Sequence, residues 1–176
     1  RCISRDVMEI YNLGFDPADE VVLFPVYSRK GDVLFYKSRS LVGKHFFNAK
    51  DIDKTAAVYG LYQTLEAKIP DSTEIWLVES EIDALSLVSK GILAWAFMGS
   101  DISEKQIKEM CQSPYRRFVI ATDNDEAGRK AARRIKDKLI PLGFRFFNLK
   151  WLTDLKDVNE LIQNYGDDFE DYLHRY

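Results

Sequence analysis

The chain has 176 residues, 46% apolar and 13% aromatic, enough to bury a core of ordinary size in one domain or two small lobes, which excludes a disordered segment. Its 25 basic and 28 acidic side chains leave a formal charge of -3, so nucleic-acid binding by bulk charge is excluded and must come from local clusters if it occurs. No apolar run approaches the roughly 18 residues that span a bilayer and no signal-peptide pattern opens the chain. Cys2 and Cys111 are too few for a disulfide framework or a four-ligand zinc site, so a reducing cytoplasm is the expected location. The first residue is Arg, which reads as a piece cut from a longer protein.

In chain order, "SRDVMEIYNLGFD" predicts a short helix from a Ser4 cap to near Gly14. "EVVLFPVYS" and "DVLFYKSRS" are β-branched and aromatic runs separated by Arg29, Lys30, Gly31 and Asp32, and together predict a hairpin. "KTAAVYGLYQTLEAKI" predicts an amphipathic helix that stops at Pro70. From residue 73 the pattern becomes strand, helix, strand, helix: "EIWLVE" then "SEIDALSLVSKG", "LAWAF" then "SEKQIKEMCQ", "RFVIAT" then "DEAGRKAARRIKDKLI", "FRFFNL" then "DVNELIQNY". Short strands that are apolar throughout suit a parallel sheet covered on both faces by helices. The expected class is therefore α/β, with a small Rossmann-like parallel sheet at residues 71–176 and, at residues 1–70, a small α+β lobe carrying the hairpin.

In such sheets ligands bind beyond the carboxyl ends of the strands. Glu79 ends the first strand, Asp123 ends the third with Asp125 two residues on, and Asp157 follows the fourth. Helix capping offers an ordinary explanation for some of these. Ser80 with Asp83 has capping-box spacing, Asp125 can cap the helix from Glu126, and Asp157 with Glu160 can cap the last helix. Capping does not explain Glu79 or Asp123, which lie on the strand side of the cap, where a charge at the sheet edge needs compensation. Residues two apart on a strand lie about 6.6 Å apart on one side, close enough for carboxylates to bridge cations. Oxygen-only ligands suit magnesium or manganese, which complete their shells with water and substrate phosphate.

Two basic excesses stand out. Arg129, Lys130, Arg133, Arg134, Lys136 and Lys138 face Asp137 alone, net +5, which reads mostly as a solvated helix face apart from Arg129, one turn from the acidic residues. Arg29, Lys30, Lys37, Arg39, Lys44 and Lys50 face Asp32, again net +5, with Phe35, Tyr36, Phe46 and Phe47 interleaved. That mixture holds a nucleic-acid strand by phosphate contact and base stacking; protection of an edge strand by charge is the simpler alternative.

Several segments match a known family. "WLVESEIDALSL" resembles the "hhEGxxDhhxL" segment of TOPRIM domains, "VIATDNDEAGRKAA" their "DxDxAGxxAA" segment, and "LKDVNELI" their third acidic stretch. Upstream, "VVLFPVYSRKGDVLFYKSRSL", "GKHFFNA" and "AVYGLYQTL" resemble segments of DnaG-type primases, and "FMGSDISEKQIKEM" is similar to the stretch between their acidic motifs. Ser80 stands where the family usually has Gly after the glutamate, and Asn124 where "DGD" versions have Gly.

The resemblance to TOPRIM-containing DnaG-type DNA primases, including phage primase-helicases, implies the RNA-polymerase core of a primase that makes RNA primers by metal-dependent nucleotidyl transfer. It implies that Glu79, Asp123 and Asp125 are catalytic and bind Mg2+ or Mn2+ together with Asp157. Lys37, Arg39, Lys44 and Arg129 would contact nucleotide or template. Single-stranded DNA, ribonucleoside triphosphates and a replicative helicase are the implied partners, with no membrane. Two rival readings stay open: a TOPRIM nuclease or topoisomerase-like fragment using the same metals, and a nucleic-acid-binding module without catalysis. A topoisomerase needs a nucleophilic tyrosine, and none of the nine Tyr sits beside the acidic motifs.

Overall fold

The computed structural model describes residues 2–40, 46–48, 53 and 55–176, with 46–48 described by their backbone. Two sheets organise the chain. The hairpin forms as expected, with β2 (Val21–Tyr27) antiparallel to β3 (Val33–Ser40). Gly31 closes the turn at φ +93°, where an L side chain is strained and a Cβ would meet the Tyr62 ring at 2.9 Å. β1 (Gly14–Asp16) and β4 (Phe46–Asn48) extend the hairpin on either side, giving the order β1-β2-β3-β4. Three-residue strands carry no readable period, and both were missed from sequence. α1 (Arg5–Ile10) starts at Ser4, whose hydroxyl accepts from the Val7 N–H, but ends before Gly14 because residues 14–16 pair with Val21–Leu23 instead.

The helix expected across residues 54–69 is largely replaced by other structure. Only α2 (Leu61–Glu66) is helical. Tyr59 pairs with Ala96 as an isolated bridge, and Gly60 turns left-handed at φ +88°, with its Cα so close to the Ala94 carbonyl that a Cβ would lie 2.6 Å from the oxygen. Tertiary pairing therefore overrides the amphipathic pattern at this point.

The second sheet has the order β6-β5-β7-β8-β9, where β5 is Glu74–Val78, β6 Ala94–Ala96, β7 Arg117–Ile120, β8 Arg145–Trp151 and β9 Leu173–Arg175. β6, β5, β7 and β8 are parallel, as expected; β9 pairs antiparallel with β8 and makes the sheet mixed. The helices between are α3 (Glu81–Val88), α4 (Glu104–Cys111), α5 (Glu126–Leu139) and α6 (Val158–Tyr165). Alternation sorts the strand residues between two faces. Trp76, Val78 and Val119 join Ile82 and Leu85 of α3 and Leu161 and Ile162 of α6. Ile75, Leu77, Phe118 and Ile120 join Ile107 and Met110 of α4 and Ile135 and Leu139 of α5. No helix among the described residues is long and apolar enough to cross a membrane.

The first sheet packs on the α3 and α6 side, where Val7, Phe24, Val26 and Phe35 join the same core as Val78 and Ile82. Lys37 on β3 reaches across to Glu81 at the start of α3, Nζ to Oε2 2.5 Å, with 13% and 3% of the side chains exposed. Breaking one half of a buried pair strands the other charge, which costs about 3–5 kcal/mol, whereas replacing both with apolar groups is far milder. Lys37→Met is therefore expected to lower unfolding free energy by about that amount, and Lys37→Met with Glu81→Met to recover most of it. Equal destabilisation by the single and double variants in denaturant melts would contradict the tie.

Candidate active site

β5 and β7 are adjacent and parallel, so both deliver their carboxyl ends to one edge of the sheet. Pairing continues one residue past β7, where the Ala121 N–H donates to the Leu77 carbonyl at 2.9 Å. Glu79 and Asp123 then meet directly: the Asp123 N–H donates to Glu79 Oε1 at 3.2 Å. Asp125 caps α5, its Oδ1 accepting from the Gly128 N–H at 2.8 Å. Gly128 is required by this geometry, because a Cβ there would lie 2.0 Å from the Asp123 carbonyl oxygen.

Asn124, between the two aspartates, locks a distant loop. Its side-chain amide donates to the carbonyls of Thr153 and Leu155 at 2.8 and 3.0 Å, and its N–H donates to the Lys156 carbonyl at 2.7 Å. A glycine could supply only the last of these. The loop so held places Lys156 with its Nζ 2.9 Å from Asp123 Oδ2, and places Asp157 as the cap of α6, accepting from the Glu160 N–H at 2.7 Å. Asp83, one turn into α3, accepts from the Asn159 N–H at 3.0 Å and from the Ser80 hydroxyl.

These groups also feel one another's charge. Burial and the neighbouring Asp123 push the Glu79 carboxyl up to about 7, with Asp125 and Asp83 adding to the rise against the Asp123 N–H hydrogen bond. Burial and Asp157 push Asp83 up to about 6. The Lys156 ammonium is held charged above its ordinary value, first by its hydrogen bond and attraction to Asp123 and then by Asp157 and Asp125. Glu79 thus neighbours Asp123 and Asp125, and Asp157 neighbours Asp83 and Lys156. Asp83 and Lys156 were missed as site residues. Asp83 had a readable signal, four residues after Glu79, but was taken only as a cap; Lys156 had none beyond its place before Asp157.

Known proteins resemble this chain in sequence and in fold. Residues 76–162 match the Toprim-like family model. The DNA primase of Pseudomonas aeruginosa is 28% identical over 162 residues, covering 88% of this chain and 24% of that protein. An uncharacterised protein of Mycoplasma genitalium is 27% identical over 150 residues, covering 85% of this chain and 69% of that protein. The structure of a DnaG primase catalytic domain bound to single-stranded DNA superposes with a TM-score of 0.78 at 20% identity, over 98% of this chain and 69% of that one. Residues 76–162 are similar to the Toprim-like family, and most of the chain is similar in sequence to bacterial DNA primases. The chain spans about a quarter of the length of the Pseudomonas primase.

Primases and TOPRIM proteins in general use divalent metal, and the TOPRIM edge here fits such an ion in donor chemistry. Among the described residues no group of three His, Cys, Asp or Glu side chains is placed to hold a metal ion. Glu79, Asp125 and Asp157 each turn one oxygen to a main-chain N–H, and Asp123 turns one to Lys156. An open edge of single carboxylate oxygens suits a hard ion that keeps water and takes the rest of its shell from phosphate.

The upstream basic residues are placed differently from one another. Lys37 is held by Glu81. Arg29 donates to the Gln112 carbonyl at 2.7 Å. Arg39, half-buried, sits two residues along β3 on the same face as Lys37, in register with Val22 and Phe46. Lys44 lies outside the described residues. Arg129 is exposed on the first turn of α5. Of the interleaved aromatics, Phe35 is buried in the core and Tyr36 is half exposed.

Two tests follow from this geometry. Gly128→Ala forces α5 off Asp123, and overpacking of this kind costs about 1–3 kcal/mol; a melting temperature equal to that of the parent would contradict the close approach. The second concerns pH. Glu79 and Asp83 have raised proton affinities in the folded chain, so their stabilising share is full below their ordinary values of 4.5 and 3.8 and is lost as pH rises through about 7 and about 6. Stability of the metal-free protein should therefore fall from these groups as pH climbs from about 4 to about 7 and level off above that, and magnesium should offset the loss. Glu79→Gln should flatten the upper part of that decline; thermal melts showing the same slope in parent and variant would contradict it.

Proposed function

We propose that this chain is the catalytic core of a DNA primase, which joins ribonucleotides on a single-stranded DNA template. The observation that carries the reading is the convergence of Glu79, Asp123 and Asp125 on one open edge of a TOPRIM sheet, with Lys156 and Asp157 beside them. In this reading Glu79, Asp123 and Asp125 hold Mg2+ or Mn2+ and Asp157 borders the site. When bound, the metal lowers the pKa of the attacking hydroxyl, orients the triphosphate and neutralises charge on the attacking and leaving oxygens.

The chain's own groups do the rest. Glu79 Oε1 is fixed by the Asp123 N–H, which leaves Oε2 either to hold the ion or, where another ligand takes that place, to accept the proton from the 3′-hydroxyl. Lys156, 2.9 Å from Asp123, brings a positive charge that an incoming phosphate meets at the acidic edge. Arg39 is assigned to nucleotide or template contact from the β3 side and Arg129 from the α5 side; Lys44, outside the described residues, is assigned the same role from the sequence alone. Lys37 is assigned the tie to Glu81 rather than a phosphate. Ribonucleoside triphosphates and a replicative helicase are the further partners of this reading.

The test is template-dependent synthesis with single-stranded DNA, labelled ribonucleotides and magnesium. Asp123→Ala should reduce oligoribonucleotide yield by about 100-fold or more, the usual scale for losing a preorganised charge at a reacting centre. Strand scission without synthesis by the parent protein would replace the primase reading with a nuclease one.

A further inference from the structure

We propose that the groove between α5 and β8 is a second nucleic-acid contact, which holds a single strand by its phosphodiester backbone and leads it to the acidic edge. The inference rests on the primase reading for its biological role but not for its physical basis. The groove encloses about 470 Å³, is walled on α5 by Arg129, Arg133 and Lys136 and on β8 by Lys150 and Trp151, and reaches Asp123 at one end.

The charges of α5 divide by face. Lys130 pairs with Glu126, and Arg134 and Lys138 both pair with Asp101. Arg129, Arg133 and Lys136 follow at spacings of four and three residues, which puts them on one stripe of the helix facing β8. Among the described residues none of these three, nor Lys150, forms an ion pair; Lys136 instead donates to Asn148 Oδ1 at 2.7 Å. Like charges at this spacing repel on a helix, and the only carboxylate lining the groove, Asp123, already faces Lys156. The acids of α5 nearest to these bases, Glu126 and Asp137, form no ion pair with them; Glu126 pairs with Lys130 instead.

What the groove lacks is an extended anion. Arg129 to Lys136 spans about 10 Å along the axis, long enough for more than one phosphate of a strand laid along the helix to meet a basic side chain. A template strand and a growing RNA strand share this chemistry.

The test is fluorescence anisotropy of labelled oligodeoxythymidylate and oligouridylate against the protein over a salt series. Arg133→Gln with Lys150→Gln should weaken binding roughly tenfold and make the slope of log affinity against log salt shallower by about 1.4, at 0.7 per phosphate contact on a single strand. Lys130→Gln with Arg134→Gln, on the paired face, should stay within about twofold of the parent. The oligonucleotide that shows the larger loss identifies the strand as DNA or RNA. Parent-like binding by the groove variant, or an equal loss from the paired face, overturns the proposal. Primer synthesis separates the two ideas. Groove-dependent binding without synthesis leaves the groove standing and removes the primase role, whereas synthesis lost in Asp123→Ala with no groove dependence does the reverse.

Discussion

Carboxylates gathered at one sheet edge repel one another, and main-chain N–H groups are what hold this set in place. The Asp123 N–H holds Glu79, the Gly128 N–H holds Asp125, the Glu160 N–H holds Asp157 and the Asn159 N–H holds Asp83. Two of these acids cap α5 and α6, so the positive ends of two helix dipoles face the crevice and lower the cost of the gathered charge. The parallel sheet makes this possible, because every βα connection places a helix start beside a strand end. Capping and ion binding therefore draw on the same arrangement: a cap uses one oxygen of a carboxylate and leaves the other directed at the edge.

Rigidity of the edge comes from two couplings that span the chain. Asn124 ties the loop after β8 to the turn after β7, which fixes Lys156 and Asp157 relative to Asp123. Lys37 and Glu81 tie the first sheet to α3 two residues past Glu79, so the position of the upstream lobe and the position of the first acidic residue are linked. In both cases a polar side chain is buried or half-buried with its partner satisfied, which trades some stability for a defined geometry.

The parallel strands and their helices were legible because each run is apolar throughout and ends at a turn or a capping residue; Ser80, Ser103, Asp125 and Asp157 all cap the helices that follow them. The short strands β1, β4 and β9 were not, since three residues carry no period and their pairing is decided by neighbours far along the chain. The helix expected at 54–69 failed for the same reason, with Tyr59 drawn into a bridge to Ala96. At the site, strand-end acids were readable from position alone. The partners of Lys37 and Asn124 were not, because they lie 44 and about 30 residues away and no local pattern announces them.

Net charge of -3 conceals a separation that matters for a polyanionic ligand. Exposed charges are screened over about 8–10 Å at physiological salt, so a strand lying along α5 feels Arg129, Arg133, Lys136 and Lys150 far more than acids elsewhere on the surface. Where the groove ends, Asp123 would repel the same strand, but Lys156 offsets that charge locally. A cation bound among Glu79, Asp123 and Asp125 would extend the favourable field into the crevice itself. The basic stripe and the acidic edge are therefore complementary parts of one path: the stripe attracts a phosphodiester chain without metal, and the edge accepts phosphate only when its own charge is met.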